Sequence, residues 1–158
     1  MKKLWSSGLI MVAGMAAQPA SVLPKQAPTT ASPNYRRDSR LETLRRFFRK
    51  YACPVEMYSH VFLEAADNYA LDWRLLPSIS YVESTGGKAA RDNNFFGWDS
   101  GRAHFPSPTA AIRAVAYRLT HSVLYKNKNL DALLSTYNPN AEYGQKVKSI
   151  MRQIAPSE

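Results

Sequence analysis

Apolar residues recur every three or four positions along most of the chain after residue 38, a spacing typical of amphipathic helices. The first helix is predicted to start at Ser39, which fits a capping box with Glu42. A second is predicted from Pro54, because proline is tolerated in a first turn. The apolar positions that these two helices would bury include Leu41, Leu44, Phe47, Phe48, Val61, Phe62, Ala65 and Ala66.

A third helix is predicted after Asp72, a favourable N-cap residue, and should end at Gly86 and Gly87. Pro77 lies inside this segment, so we expect either a kink or a start displaced by one turn. The residues that this helix would turn toward the core are Leu75, Leu76, Ile79 and Val82.

Three helical segments are predicted in the last third of the chain. Ser107 and Pro108 have the pattern of an N-cap and a first-turn proline, opening a helix to about Tyr125. A short helix and a turn follow within residues 127–140, and a closing helix runs over residues 143–154. Residues 88–106 show no helical period and read as two short extended pieces around residues 99–101. The predicted fold is therefore mainly α, with a small β-hairpin or irregular insert directly after Glu83.

The N-terminal part of the sequence has a different composition from the rest. Residues 1–17 combine Lys2 and Lys3 with an apolar stretch, which is the layout of a signal peptide or of an N-terminal anchor. Residues 18–38 contain four prolines and predict a disordered linker. The expected domain is residues 39–155. We expect an exported protein of the periplasm, the cell envelope or the medium, without stable membrane insertion after processing.

The 158-residue chain is basic, with 21 Lys and Arg against 12 Asp and Glu. Such an excess attracts anionic partners such as nucleic acids, membranes and wall polymers. No run of five Lys and Arg occurs, which argues against nucleic acid. The three histidines are scattered and do not have metal-site spacing. We expect a monomer with no metal and no organic cofactor.

Glu83 is the most suggestive residue for chemistry. It lies near the C-terminal end of the third predicted helix, where the helix dipole opposes a negative charge. Burial among nearby aromatic residues would remove water from the carboxylate, and both effects raise the pKa. A carboxyl group that keeps its proton near neutral pH suits general acid catalysis of glycosidic bond cleavage. Asn93, Asn94 and Trp98 offer amides and a ring face for a sugar.

The stretch "LLPSISYVESTGGKAARDNNFFGW" resembles the glucosaminidase branch of the lysozyme-like superfamily. In that family a helix ends in Glu-Ser, and an Asn-Asn-x-Phe-Gly block follows about ten residues later. The segments "FPSPTAAIRAVAYRL" and "STYNPNAEYGQKVKSIMRQI" are similar to the later helices of the family. The resemblance to the glucosaminidase branch covers residues 71–154. The sequence is also similar, more loosely, to lytic transglycosylases, but it does not contain their Gly-Leu-Met-Gln block.

The resemblance implies a fold, a substrate and a set of site residues. It implies a lysozyme-like domain that cleaves the GlcNAc and MurNAc backbone of peptidoglycan, with Glu83 as catalytic acid and Tyr137 facing it. The substrate-binding residues that we expect are Ser84, Asn93, Asn94, Phe96, Gly97, Trp98 and Tyr143.

A second catalytic carboxylate is harder to identify. Asp99 is the best-placed candidate, although Asp99 before Ser100 and Gly101 is also an ordinary turn sequence. Without it, the substrate's acetamido group could assist, or its 6-hydroxyl could attack as in lytic transglycosylases. A peptidoglycan-binding domain without catalytic activity is a further alternative.

Overall fold

Six α-helices form the described part of the protein, residues 34–156 of a computed structural model. They are α1 (Ser39–Lys50), α2 (Ser59–Asn68), α3 (Leu75–Ser84), α4 (Pro108–His121), α5 (Leu130–Tyr137) and α6 (Ala141–Ile154). Two 3-10 helices, Tyr35–Arg37 and Pro54–Tyr58, precede α1 and α2. These residues contain no β-strand. The prediction of a mainly α fold is confirmed.

The helix starts follow local capping chemistry. Ser107 caps α4 as predicted, accepting a hydrogen bond from the Ala110 amide at 3.1 Å. The cap of α1 is Asp38, not Ser39, since the Asp38 carboxylate accepts from the Arg40 amide at 2.8 Å and also pairs with the Arg40 guanidinium. Helix α3 starts at Leu75, so Pro77 falls in its first turn, where its missing amide hydrogen costs nothing. Of the two outcomes predicted for Pro77, the displaced helix start is the one observed.

The hydrophobic core lies between α3 and the helices around it. Helix α3 packs mainly against α6 and also touches α2, while α2 packs against α4 and α1. The largest side chains that are fully buried are Phe48, Phe62, Phe96, Leu44, Leu63, Leu76, Ile79, Ile112, Leu119 and Leu134. The insert takes part in this core through Phe95 and Phe96, whose rings lie 4.6 Å apart. The core therefore fixes the insert against the end of α3.

The folded unit begins before the predicted boundary at residue 39. Tyr35 packs against the core and its hydroxyl donates to Asp67 at 2.9 Å. Asp67 is in turn held by Arg40. Residues 34–38, predicted as linker, therefore belong to the domain because an aromatic side chain and an ion pair tie them down. The signal peptide or anchor over 1–17 and the linker over 18–33 lie outside the described residues.

The insert between α3 and α4 consists of turns. Left-handed backbone recurs along it, at Asp92, Asn93, Gly97, Asp99, Ser100 and Gly101 among others. A residue with positive φ bends the chain, so an extended ladder cannot form and the irregular alternative of the prediction is the one observed. Two hydrogen bonds join residues 92–93 of the insert to Phe105. The Phe105 amide donates to the Asp92 carbonyl at 3.0 Å, and the Asn93 side chain donates to the Phe105 carbonyl at 2.8 Å.

Candidate active site

Glu83 is the penultimate residue of α3 and is only partly buried. The helix stops directly after it, with Thr85 in left-handed conformation at φ 52°. Since the insert turns back over this helix end, the Glu83 carboxyl group meets Gly97 of the insert and interacts with Tyr137 and Tyr143 from α5 and α6. Three separate parts of the chain thus enclose one carboxyl group.

Gly97 makes the closest backbone approach to Glu83. It has φ +63°, and a Cβ atom placed on it would collide with Oε2 of Glu83 and lie 3.1 Å from Cδ. Only glycine combines this backbone angle with the space for the carboxyl group. The glycine that the sequence suggested as a groove residue therefore also fixes where the carboxyl group can lie.

Burial raises the pKa of the Glu83 carboxyl above its ordinary value. The Tyr143 hydroxyl partly offsets this rise, although no hydrogen bond of good geometry joins the two groups. Glu83 forms no ion pair with any residue between 34 and 156. The predicted direction of the pKa shift is confirmed, with removal of water as the main cause. The carboxyl group therefore keeps its proton to a higher pH than an exposed glutamate does.

Two stacked tyrosines form one wall beside Glu83. The rings of Tyr137 and Tyr143 are nearly parallel, 5° apart in orientation and 5.9 Å between centroids. The Tyr137 hydroxyl donates to the Phe96 carbonyl at 2.6 Å, which joins α5 to the insert. Burial, with the nearby Glu83 charge, raises the pKa of both phenols, so both stay protonated at neutral pH.

The Tyr143 hydroxyl is buried without a hydrogen-bond partner in the described part of the chain. The residue itself is 5% exposed. A buried hydroxyl without a partner costs stability. The Tyr143 hydroxyl and the Glu83 carboxyl group influence each other's pKa, so the two groups lie close together.

A cleft of about 580 Å³ opens beside this carboxyl group. Its walls come from the insert, from Arg118 of α4, from the segment after α4 and from Tyr137 of α5. The lining residues are Gly97, Trp98, Asp99, Ser100, Ala103, Arg118, Leu124, Tyr125 and Tyr137. Glu83 does not line the cleft itself. Its carboxyl group lies against Gly97 and interacts with Tyr137, and both of these residues line the cleft.

Four of the predicted sugar-binding residues instead pack in the core or bond to the backbone of the insert. Phe96 is 0% exposed and belongs to the core. The Asn94 side chain accepts from the Trp98 amide and donates to the Trp98 carbonyl, both at 2.9 Å. One N–H of the Asn93 side chain donates to the Phe105 carbonyl, as described above. The expectation that these side chains contact a sugar is corrected for Phe96, which is buried in the core, and for Asn94, whose amide nitrogen and oxygen both bond to Trp98.

Ser84 is the fourth of these residues. Its hydroxyl is buried and donates toward the Ser80 carbonyl at 3.1 Å and the Phe95 carbonyl at 2.9 Å. It also accepts from the Gly87 amide at 3.0 Å. Ser84 therefore ties the end of α3 to the insert and does not hydrogen-bond to Glu83. The geometry gives it a positioning role in place of the predicted contact with substrate.

Asp99 lies on the cleft but does not act as a partner of Glu83. It occupies a left-handed turn position at φ 52°, and its exposed carboxylate pairs with Arg102 at 2.8 Å. It is not among the groups that shift the pKa of Glu83. Asp92, the other acid in the insert, is exposed and lies 3.2 Å from His104. The prediction of Asp99 as a second catalytic carboxylate is not supported, because the turn directs its side chain to Arg102.

Trp98 lies in the cleft among other rings, with a cation over its face. Its centroid is 5.6 Å from that of Tyr137 and 5.9 Å from that of Tyr125. The Arg118 guanidinium carbon sits over the indole ring at 5.3 Å. A sugar ring would therefore share this face with a cation. The ring of Tyr81, two residues before Glu83, packs against Phe47, with centroids 5.3 Å apart.

Sequence reasoning missed Arg118 and Tyr125. The predicted fourth helix ran to about Tyr125, whereas α4 ends at His121 and the chain then turns toward the cleft. Val123 and Leu124, an apolar pair after the end of α4, are 84% and 66% exposed, and Leu124 lines the cleft.

Neither a metal site nor a membrane span stands out in residues 34–156. No three His, Cys, Asp or Glu side chains gather there in a way that could hold a metal ion. No helix in that range is both long and apolar enough to cross a bilayer.

Comparisons of the chain with protein-family models, with curated proteins and with solved structures found no match. The case for function therefore rests on the residues themselves.

Proposed function

We propose that this protein cleaves glycosidic bonds in the GlcNAc and MurNAc backbone of peptidoglycan, with Glu83 as general acid. The observation that carries the proposal is a partly buried carboxyl group with a raised pKa that lies against two residues lining an open aromatic cleft, Gly97 and Tyr137. The mainly α fold and the Glu-Ser and Asn-Asn-x-Phe-Gly motifs are consistent with the same chemistry. As predicted from the sequence, we expect an exported monomer whose basic charge favours an anionic wall.

The proposed step is transfer of one proton. Glu83 gives its proton to the oxygen that bridges two sugars, the bond from C1 to that oxygen breaks, and positive charge develops at C1. The leaving sugar departs with the proton as a hydroxyl group. Glu83 is then a carboxylate that can accept a proton from the group attacking C1. Gly97 and the two tyrosines hold the carboxyl group in place during both transfers.

Replacing Glu83 by glutamine tests the proposal. Glu83→Gln keeps the shape but has no transferable proton, so clearing of a sacculus suspension should fall by about 10²- to 10⁴-fold. Glu142→Gln is the matched control, because Glu142 is an exposed residue in the first turn of α6. Binding to insoluble sacculi, measured by sedimentation, should persist in both variants. Equal clearing by Glu83→Gln and the unsubstituted chain would refute the general acid role.

A binding domain without catalytic activity gives a different result in the same assay. It would sediment with sacculi and clear none of the suspension, whether or not Glu83 was substituted. Loss of clearing on Glu83→Gln with binding retained therefore separates the enzyme from the binder.

We propose that Glu83 works without a second carboxylate, since Asp99 pairs with Arg102 and no other acid within residues 34–156 is among the groups that shift the pKa of Glu83. Cleavage would then use a group of the substrate, either its acetamido oxygen or its 6-hydroxyl, as the attacking atom. Digestion in water labelled with ¹⁸O separates the outcomes. Hydrolysis places a solvent oxygen on C1, whereas attack by the 6-hydroxyl closes an anhydro ring that contains none.

A further inference from the structure

We infer that Arg118 makes this cleft selective for saccharides that carry a carboxylate, in preference to neutral saccharides with the same backbone. The inference rests on the proposed function, since it concerns which sugar the same cleft accepts. It names Arg118 as a specificity-determining residue and not as a catalytic one.

The first argument is the state of the Arg118 side chain. Its guanidinium lies over the Trp98 ring and lines the cleft. Among the residues that the structure describes, it makes no ion pair. Arg113, on the same helix, pairs with Glu64 at 2.8 Å instead. Stacking on an indole orients a guanidinium without neutralising it, so its hydrogen-bond donors remain free for a ligand.

The second argument is the charge balance along the cleft walls. Asp99 and Arg118 are the two charged residues among those that line it. Asp99 is already paired with Arg102, which offsets its negative charge. Of the two charged residues that line the cleft, Arg118 is therefore the one without an ion-pair partner among residues 34–156, and its charge favours an anionic ligand.

The third argument is the chemistry of the ligand. Guanidinium groups bind carboxylates through two parallel hydrogen bonds, a fit that a hydroxyl or an acetamido group cannot reproduce. MurNAc differs from GlcNAc by a lactyl group, whose carboxylate is free on denuded strands. In strands that carry peptide this carboxyl group is an amide, and the peptide supplies carboxylates of its own. Either source offers Arg118 the same partner.

Binding measurements on the full chain with Glu83→Gln test the inference, since this variant leaves the sugars intact. The probes are chitotetraose, a denuded GlcNAc–MurNAc tetrasaccharide, and the same tetrasaccharide bearing a dipeptide. We expect one or both carboxylate probes to bind about fivefold more tightly than chitotetraose, as an exposed charge pair allows. Preference for the denuded probe identifies the lactyl carboxylate, and preference for the other identifies the peptide.

Two further substitutions separate recognition from packing. Arg118→Gln should remove the preference, so that the carboxylate probes bind no more tightly than chitotetraose, while Arg118→Lys should keep part of it. Arg113→Gln is the control and should bind like its parent. The inference would be overturned if the preference for carboxylate probes persisted in Arg118→Gln, or if Arg118→Gln weakened the binding of all three probes equally. It would also be overturned if the Glu83→Gln chain with Arg118 intact showed no preference among the probes or bound none of them.

Failure of the inference and failure of the proposed function are distinguishable. If the unsubstituted chain clears sacculi but binds the three probes equally, the inference alone fails. If the carboxylate probes bind through Arg118 but no glycan is cleaved, the proposed function alone fails.

Discussion

Two glycines of the insert allow a controlled displacement of the Glu83 carboxyl group. Gly97 and Gly101 both have left-handed backbone, at φ +63° and +81°. A Cβ atom on Gly97 would collide with the carboxyl group of Glu83, whereas a Cβ atom on Gly101 would meet nothing within 4 Å. Gly97→Ala and Gly101→Ala therefore share the backbone strain and differ in the contact with Glu83.

The two variants should lose similar stability and very different activity. Alanine in left-handed conformation costs about 1–2 kcal/mol at either position. At position 97 the carboxyl oxygen must also retreat by about 1 Å to reach an ordinary contact distance. The end of a glutamate side chain moves at small cost in stability. A displacement of about 1 Å at the reacting group can nevertheless reduce the rate about 100-fold.

Urea unfolding and sacculus clearing, measured side by side on the two variants, provide the assay. We expect similar unfolding midpoints, clearing close to normal for Gly101→Ala, and clearing reduced about 100-fold for Gly97→Ala. If both variants clear sacculi equally well, the position of the Glu83 carboxyl group does not matter, and the reasoning from Gly97 is wrong.

Two other predictions concern stability. Burial raises the pKa of Glu83 in the folded state above its ordinary value. The protonated carboxyl group therefore stabilises the fold at low pH, and this stabilisation is lost as the pH rises from the ordinary pKa through the raised one. Glu83→Gln should therefore melt higher than the unsubstituted chain at pH 7 and no higher at pH 3; a difference that does not change with pH would contradict this. Asn94→Ala leaves the amide of Trp98 without its partner, while the Trp98 carbonyl still accepts from the amides of Gly101 and Ala103, so the substitution should cost about 1–3 kcal/mol in urea unfolding. An unchanged midpoint would mean that Asn94 does not fasten this turn.

Local signals predicted the helices well. Ser107 and Pro108 fixed the start of α4 because a cap and a first-turn proline act on neighbouring backbone groups. The N-cap of α1 was misjudged by one residue, since Asp38 and Ser39 are adjacent and both are good caps. Asp38 caps the helix because its carboxylate also pairs with Arg40, an interaction that a serine cannot make.

The site was only partly accessible from the sequence. The raised pKa of Glu83 followed from its place near a helix end and on the border of the apolar stripe. Its actual neighbours, Gly97, Tyr137 and Tyr143, come from three separate segments, and only the family resemblance suggested them. Helical periodicity carries no information on which distant segments pack together.

The asparagines illustrate why residue type alone misled the prediction. An amide suits a sugar hydroxyl, and it suits the unpaired backbone groups of a tight turn equally well. In this protein the left-handed turns of the insert use Asn93 and Asn94 for the second purpose. Arg118 was missed for a related reason, since a basic residue in the last turn of a helix normally only complements the helix dipole.

Mass spectrometry of the glycan ends released from purified sacculi tests the central claim most directly. The account predicts new sugar termini, either reducing or anhydro, in digests by the unsubstituted chain and by Glu142→Gln, and none above background with Glu83→Gln. Sacculi that gain no new sugar termini with the unsubstituted chain, or that gain them equally with Glu83→Gln, would contradict it.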